Sequence, residues 1–317
     1  MSKIETLYKE WQSLQPLKEQ DQKRLDQKFM LEFNYNSNHI EGNTLTYGQT
    51  ELLLLFGRVV GEAKMKDLEE MKASNVGLKM VKEMALDKEQ SLSEYFIRTL
   101  HKTLLREDYT EYRQLPDGTN FSYVVHAGQY KTRPNSVITP TGERFEYASP
   151  EETPALMTDL LQWYNQAEAE GTMSPIELAS LFHYRYIRIH PFEDGNGRIS
   201  RAIADYIISK SSDEPLHAFS ISSGILKNRG SYYEQIQVAS VGNDDMDISN
   251  WVAWFLDTVT ECIIESRETL RRTLKTASFI KSLDPSEFNS REMSMLYKLA
   301  DGSFFGKLTT DKWVKMN

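Results

Sequence analysis

Apolar positions recur at helical spacing through most of this chain, and few stretches alternate as strands do. Ile176, Leu178, Ala179, Leu181, Phe182, Tyr186 and Ile189 cover more than one face of a helix, so this segment reads as buried. Ser174-Pro175-Ile176-Glu177 opens it, with serine as N-cap, proline at the first helical position and glutamate completing a capping box. Pro191 disfavours helical geometry at His190 and ends it there. Residues 4–14 and 62–86 read as charged amphipathic helices, and a core begins near Leu92 with the stripe Ile97, Leu100, His101, Leu104. Residues 245–268, carrying Trp251, Trp254, Phe255 and Leu256, read as a closing core helix. Only Gly128 to Tyr147 turns to short extended pieces, around Thr139-Pro140-Thr141-Gly142 and the alternating Arg144-Phe145-Glu146-Tyr147.

Composition narrows this picture. A chain of 317 residues holds one large or two to three small domains with a real core. A formal net charge of −9 argues against general binding to nucleic acid or to anionic membranes. Cys262 is the single cysteine, which excludes an intrachain disulfide and a thiolate metal cluster; it reads as a small apolar helix residue. No segment approaches the ~20 apolar residues of a membrane span, so a cytoplasmic location is expected. His101 and His183 lie on apolar-patterned helices and read as hydrogen-bonded structural residues, whereas His126 and His217 take no assignment.

The densest chemistry is the run His190-Pro191-Phe192-Glu193-Asp194-Gly195-Asn196-Gly197-Arg198-Ile199-Ser200-Arg201. It holds a general-base candidate, a metal-ligand candidate and a turn whose glycines let a ligand approach the backbone. Consecutive amides at the start of the next helix can form an anion nest favoured by the helix dipole. Arg198 and Arg201, three residues apart, project from neighbouring positions and suit phosphate oxygens. Taken singly, each element has a plainer reading: a common turn, a helix-capping aspartate, a packed histidine. Together they describe a site for a nucleoside triphosphate and a hydroxyl to be activated. No Gly-x-x-x-x-Gly-Lys-(Ser/Thr) loop is present.

This run resembles the Fic signature, His-Pro-Phe-x-(Asp/Glu)-Gly-Asn-Gly-Arg-x-x-Arg, at every specified position. The resemblance implies an all-α, Fic-type helical bundle with a small β-hairpin flap, and transfer of AMP from ATP to a Ser, Thr or Tyr hydroxyl of a protein. It implies His190 as general base and Asp194 as ligand of a Mg²⁺ ion on the phosphates. Gly195, Asn196 and Gly197 would form the anion hole, with Arg198 and Arg201 on the β- and γ-phosphates and Phe192 as core anchor. The extended pieces before the signature are similar to the family's flap, which docks a target by strand addition, with Val137 and Ile138 as contacts; an ordinary surface hairpin is the plainer alternative. Tyr232-Tyr233-Glu234-Gln235-Ile236 resembles the base-binding helix, though Ser240 stands where relatives often carry asparagine. Helix packing is the plainer role for those tyrosines.

Ser37-Asn38-His39-Ile40-Glu41-Gly42 matches the family's inhibitory pattern, (Ser/Thr)-x-x-x-Glu-(Gly/Asn). Gly42 supplies a left-handed residue at a helix end. The resemblance implies that Glu41 pairs with Arg201 and blocks productive γ-phosphate binding, with Ser37 in the same motif. Three regions are expected: a helical region over 1–91 with an inhibitory helix at about 27–41, a catalytic core over 92–276, and a C-terminal module over 277–317. In that module Leu283-Asp284-Pro285 reads as a linker and Asn289 to Glu292 as a capping box opening a short helix. A further helix from Thr309 would follow Gly302 to Gly306. It is similar to the first part of a winged-helix domain, or is a small packing element; lacking recognition helix and wing, it is not expected to bind DNA. Expected partners are ATP, Mg²⁺ and an unidentified target protein, with self-modification and a homodimer as further expectations. Removal of AMP, transfer of another nucleotide, and a DNA-linked nucleotide-responsive regulator remain as alternatives.

Overall fold

The computed structural model describes residues 6, 19–114, 118–138, 142, 144–210, 220–240, 247–284, 287–300 and 309–310. The expected helix over 4–14 apart from residue 6, Thr139 to Thr141, His217, Pro285, the Gly302 to Gly306 segment and the chain after residue 310 lie outside them. The expected class is borne out: helices dominate. They are α1 (Glu19–Ile40), α2 (Tyr47–Phe56), α3 (Met65–Leu86), α4 (Glu94–Leu105), α5 (Thr153–Glu170), α6 (Pro175–Ile189) and α7 (Asn196–Lys210). After these come α8 (Ile221–Lys227), α9 (Arg229–Ser240), α10 (Ser249–Ser282) and α11 (Ser290–Ala300).

Two antiparallel hairpins lie between α4 and α5. The second, β3 (Ser136–Ile138) with β4 (Arg144–Glu146), is the expected flap, with Val137 opposite Phe145. The first, β1 (Tyr109–Gln114) with β2 (Asn120–Val125), was not expected from the sequence. Its inward face carries Tyr109 and Glu111 against Val125 and Tyr123, while Arg113 opposite Phe121 is exposed, and the polar members hide the period-two signal.

The core is built on α6 and α7, against which α3, α5 and α10 pack. The Ser174–Glu177 capping box forms as expected, and α6 ends with His190 in the left-handed region at φ 51°, its N–H bonded to Tyr186 O. Tyr164, Phe182, Tyr186, Phe192, Trp251 and Phe255 are fully buried around this pair. Each such side chain contributes on the order of 2–3 kcal/mol through burial. Trp251 adds a bond from its indole N–H to Ser180 O, so the closing helix is held by a polar contact as well.

Several boundaries differ from expectation, among them the start of α1 at Glu19 rather than about 27. α3 starts at Met65 rather than 62, because Gln49 Nε2 donates to the carbonyls of Val60 and Glu62 and holds that stretch out of the helix. α10 runs to Ser282, beyond the expected end at 268, so the boundary expected at 276–277 falls inside a continuous helix. α1 ends at Ile40, leaving Glu41 in the turn that follows; Gly42 there has φ +94°, as its left-handed role requires. The turn is fastened to α3: Asn43 Nδ2 donates to Asp67 O at 3.0 Å and Thr44 N–H to Asp67 Oδ2 at 2.9 Å. Asn289 and Glu292 cap α11 reciprocally, as expected.

Candidate active site

The loop between α6 and α7 is held from three sides before any ligand is considered. From within, Asn196 Oδ1 accepts the Phe192 N–H at 3.0 Å and Asn196 Nδ2 donates to Phe192 O at 2.7 Å. From below, His101 stacks on Phe192 with ring centroids 3.7 Å apart, and its Nε2 lies 3.0 Å from Asp194 O. The Gly128 N–H donates to His101 Nδ1 at 2.8 Å, so the proton sits on Nε2 and points at that carbonyl. Burial pushes the His101 pKa down to about 4, which keeps the ring in this neutral form. From the side, Lys131 Nζ donates to Ile189 O at 2.9 Å, and Asn135 Nδ2 donates to His190 O at 3.2 Å and Phe192 O at 3.0 Å.

His190, Asp194, the Gly195–Gly197 turn, Arg201, Tyr232 and Tyr233 line one cleft of 160 Å³, with Glu41, Tyr147 and Ile236 completing its walls. Burial pushes His190 down to about 3, and the nearby Lys131 charge acts in the same direction. The imidazole is therefore neutral at pH 7 and able to take a proton. Burial also works against ionisation of Asp194, but Arg198, the Tyr109 hydroxyl and the Gly195 N–H outweigh it and hold its pKa below the ordinary carboxylate value. Tyr109 and Arg198 both bond Asp194 Oδ2, at 2.8 and 3.1 Å. The Asp194 side chain is 44% exposed, and the residue lines both this cleft and a neighbouring cavity. One carboxylate beside a glycine-flanked helix N-terminus is a donor set that could hold Mg²⁺, which favours one or two protein oxygens plus substrate phosphates and water. Among the described residues no group of three or more His, Cys, Asp or Glu forms an all-protein metal cage.

The two arginines part company. Arg198, paired to Asp194, lines a separate cavity of 510 Å³ to which Asp194 also belongs. Arg201 is 1% exposed and turns toward α1. Its Nε donates to Ser37 Oγ at 3.1 Å, and its Nη2 to Ser37 O at 2.9 Å and Glu41 Oε1 at 2.7 Å. The Glu41 carboxylate lies directly over Gly197, where an added Cβ would collide with it.

The remaining expected residues fall as follows. Tyr232 is buried with its hydroxyl 2.9 Å from His183 Nε2, while Tyr233 is 44% exposed. His183 and His101 are thus hydrogen-bonded structural residues, and His126 forms a pair with Asp108 at 2.7 Å. Ser240 closes α9, where Arg188 Nη1 donates to its carbonyl at 3.3 Å, and it does not line the cleft. Val137 and Ile138 are exposed, at 44% and 65%. Sequence reasoning missed Tyr109, Lys131, Asn135 and Tyr147, which act on the loop from the two hairpin regions. Their one signal was the dense polar and aromatic run before α5.

Residues 91–208 match the model of the Fic/DOC family, a span that contains the whole loop, all of α6, and α7 up to its last two residues. A crystal structure of a Fic domain-containing signaling protein from Bacteroides thetaiotaomicron is 43% identical, covers 97% of this chain and 100% of its own, and superposes with a TM-score of 0.72. This chain belongs to the Fic/DOC family. A structure of Fic-1 from Caenorhabditis elegans, at 24% identity and TM-score 0.65, shares the fold over 84% of this chain and 71% of its own. Among curated proteins, protein adenylyltransferase fic-1 of C. elegans is 29% identical over 209 residues, or 66% of this chain and 36% of the worm protein. Protein adenylyltransferase Fic of Nematostella vectensis is 26% identical over 66% of this chain and 43% of its own length. The chain thus spans less than half the length of either of these two curated relatives. Among the described residues no helix is long and apolar enough to cross a membrane.

Proposed function

We propose that this Fic protein is a protein adenylyltransferase that moves AMP from ATP to a Ser, Thr or Tyr hydroxyl of a target protein, and that Glu41 restrains it. The observation that carries the reading is one cleft containing a neutral His190, an ionised Asp194, the Gly195–Gly197 turn at a helix N-terminus, and Arg201. The relatives named as adenylyltransferases support it.

In this reading the amides of Gly195, Asn196 and Gly197 and the Arg198 and Arg201 guanidinium groups receive the phosphates. Asp194 would hold a Mg²⁺ ion, which offsets phosphate charge when bound. His190 accepts the proton of the target hydroxyl as its oxygen attacks the α-phosphorus; the bond to the β-phosphate oxygen breaks and pyrophosphate leaves. Tyr232 and Tyr233 would enclose the base, and Val137 and Ile138 would dock the target segment. Ser240 would lie beyond the base pocket's immediate wall.

Restraint by Glu41 is supported by two features of the cleft. Its carboxylate occupies the guanidinium edge that a phosphate needs, and it overlies the anion turn at Gly197. The space left, 160 Å³, is below the roughly 300–1,000 Å³ of typical ligand sites. The reading is tested by intact mass after incubating wild type, Glu41→Gly and Glu41→Gly/His190→Ala with Mg²⁺ and each nucleoside triphosphate. An AMP adduct confined to Glu41→Gly with ATP supports it. ATP binding with no adduct to the protein or to an added hydroxyl-bearing protein counts against it.

A further inference from the structure

Histidine bases are commonly oriented by a third group hydrogen-bonded to the second ring nitrogen. His190 lacks that arrangement among the described residues. Its Nδ1 is buried, and what acts on it is the backbone carbonyl of Ile187 in the preceding turn of α6, not a side chain. What meets the ring is Tyr147, stacked on its face with centroids 3.9 Å apart and planes 15° from parallel.

Tyr147 is itself part of a small frame. It directly follows β4, and its N–H donates at 3.2 Å to the carbonyl of Asn135, which directly precedes β3. These two residues form the stem of the flap. The Asn135 side chain donates to the carbonyls of His190 and Phe192, and its Oδ1 accepts from Lys131 Nζ at 2.8 Å. One end of the stem thus holds the backbone of His190 and the other holds its ring. His190 needs such support, because its left-handed backbone leaves a non-glycine residue in a sparsely populated region.

We propose that Tyr147 is the positioning residue of His190, orienting the imidazole by ring stacking where histidine bases commonly use a hydrogen-bonded side chain. Asn135 ties this contact to the β3–β4 hairpin, so a segment docked on the flap acts on the base as well as on the target's position. The inference rests on the reading of His190 as general base and adds the group that aims it. The stacked ring also shields the imidazole from water, which links orientation to protonation.

The test uses the full chain in the Glu41→Gly background, with AMP transfer and ATP binding measured on the same preparations. Tyr147→Ala is expected to lower kcat on the order of 10- to 100-fold, as a misplaced catalytic group does, while ATP Kd stays within about twofold. It is also expected to move the acid limb of the rate profile up toward pH 6, since an imidazole open to water returns toward its ordinary pKa of about 6.5. Tyr147→Phe keeps the ring and should restore both kcat and pH profile. An unchanged kcat and acid limb in Tyr147→Ala, a Tyr147→Phe protein as slow as Tyr147→Ala, or ATP affinity falling in parallel with kcat would each overturn the inference alone. A Glu41→Gly protein that transfers nothing overturns the base assignment and this inference with it.

Discussion

Arg198 and Arg201 sit three residues apart on one helix, both buried, yet they are held by different parts of the chain. Arg198 is paired to Asp194, four residues back in its own loop, at 3.1 Å. Arg201 is paired to Ser37 and Glu41, on a helix end 160 or more residues away, at 2.7–3.1 Å. The first pairing belongs to the loop itself and persists wherever the loop folds. The second depends on α1 and its turn, fastened to α3 through Asp67, so it can be altered without touching the catalytic loop. A buried guanidinium cannot stay unpaired cheaply, so whichever anion reaches Arg201, carboxylate or phosphate, displaces the other. In the proposed reading, that competition makes one arginine a fixed element of the site and its neighbour a point of control.

The largest effect should come from a double-mutant cycle on the second pairing. Glu41→Gly is expected to raise AMP transfer roughly 10- to 100-fold, the range of a coupling free energy of 1–3 kcal/mol. With Arg201→Ala in both backgrounds that ratio should collapse to about one. A ratio that survives the loss of Arg201 would mean that Glu41 acts elsewhere. Ser37→Ala removes the hydroxyl acceptor but leaves the Ser37 carbonyl and Glu41 in place. Losing one hydrogen bond of about 1 kcal/mol should raise transfer about fivefold.

On the other arginine's side, Tyr109→Phe removes the 2.8 Å bond to Asp194 and should raise the Mg²⁺ concentration for half-maximal rate a few-fold. It should leave the ratio of Glu41→Gly to wild type unchanged; a change in that ratio would erase the distinction between the two pairings. A separate effect concerns stability. His101 and His183 have pKa values pushed down by burial to about 4 and about 3. Between those values and about 6.5 the unfolded chain binds protons that the folded chain refuses, so stability is full above pH 6.5 and falls as pH drops. Thermal unfolding from pH 7.5 to 4.5 should show Tm decreasing with pH, and a flat profile would contradict the neutral assignments.

What the sequence made legible follows the same division. The loop's own chemistry was readable because its parts lie within twelve consecutive residues, and α6 because capping box, apolar pattern and proline agree at each step. The Glu41–Arg201 contact was readable only through a motif, since nothing local to either residue specifies a partner 160 positions away. Tyr109, Asn135 and Tyr147 left no comparable mark. Their function comes from the way two hairpins fold back over the loop, and the first hairpin's inward row alternates too weakly to announce itself. Ser240, a position suggested by resemblance, is absent from the residues that line the cleft, and its backbone carbonyl accepts from Arg188.

The most direct test of the central claim is the initial rate of pyrophosphate release from saturating Mg²⁺-ATP, with a hydroxyl-bearing acceptor protein, for wild type and Glu41→Gly side by side. At least about a tenfold faster rate is expected in Glu41→Gly. Equal rates from two proteins shown to be saturated with ATP would contradict it.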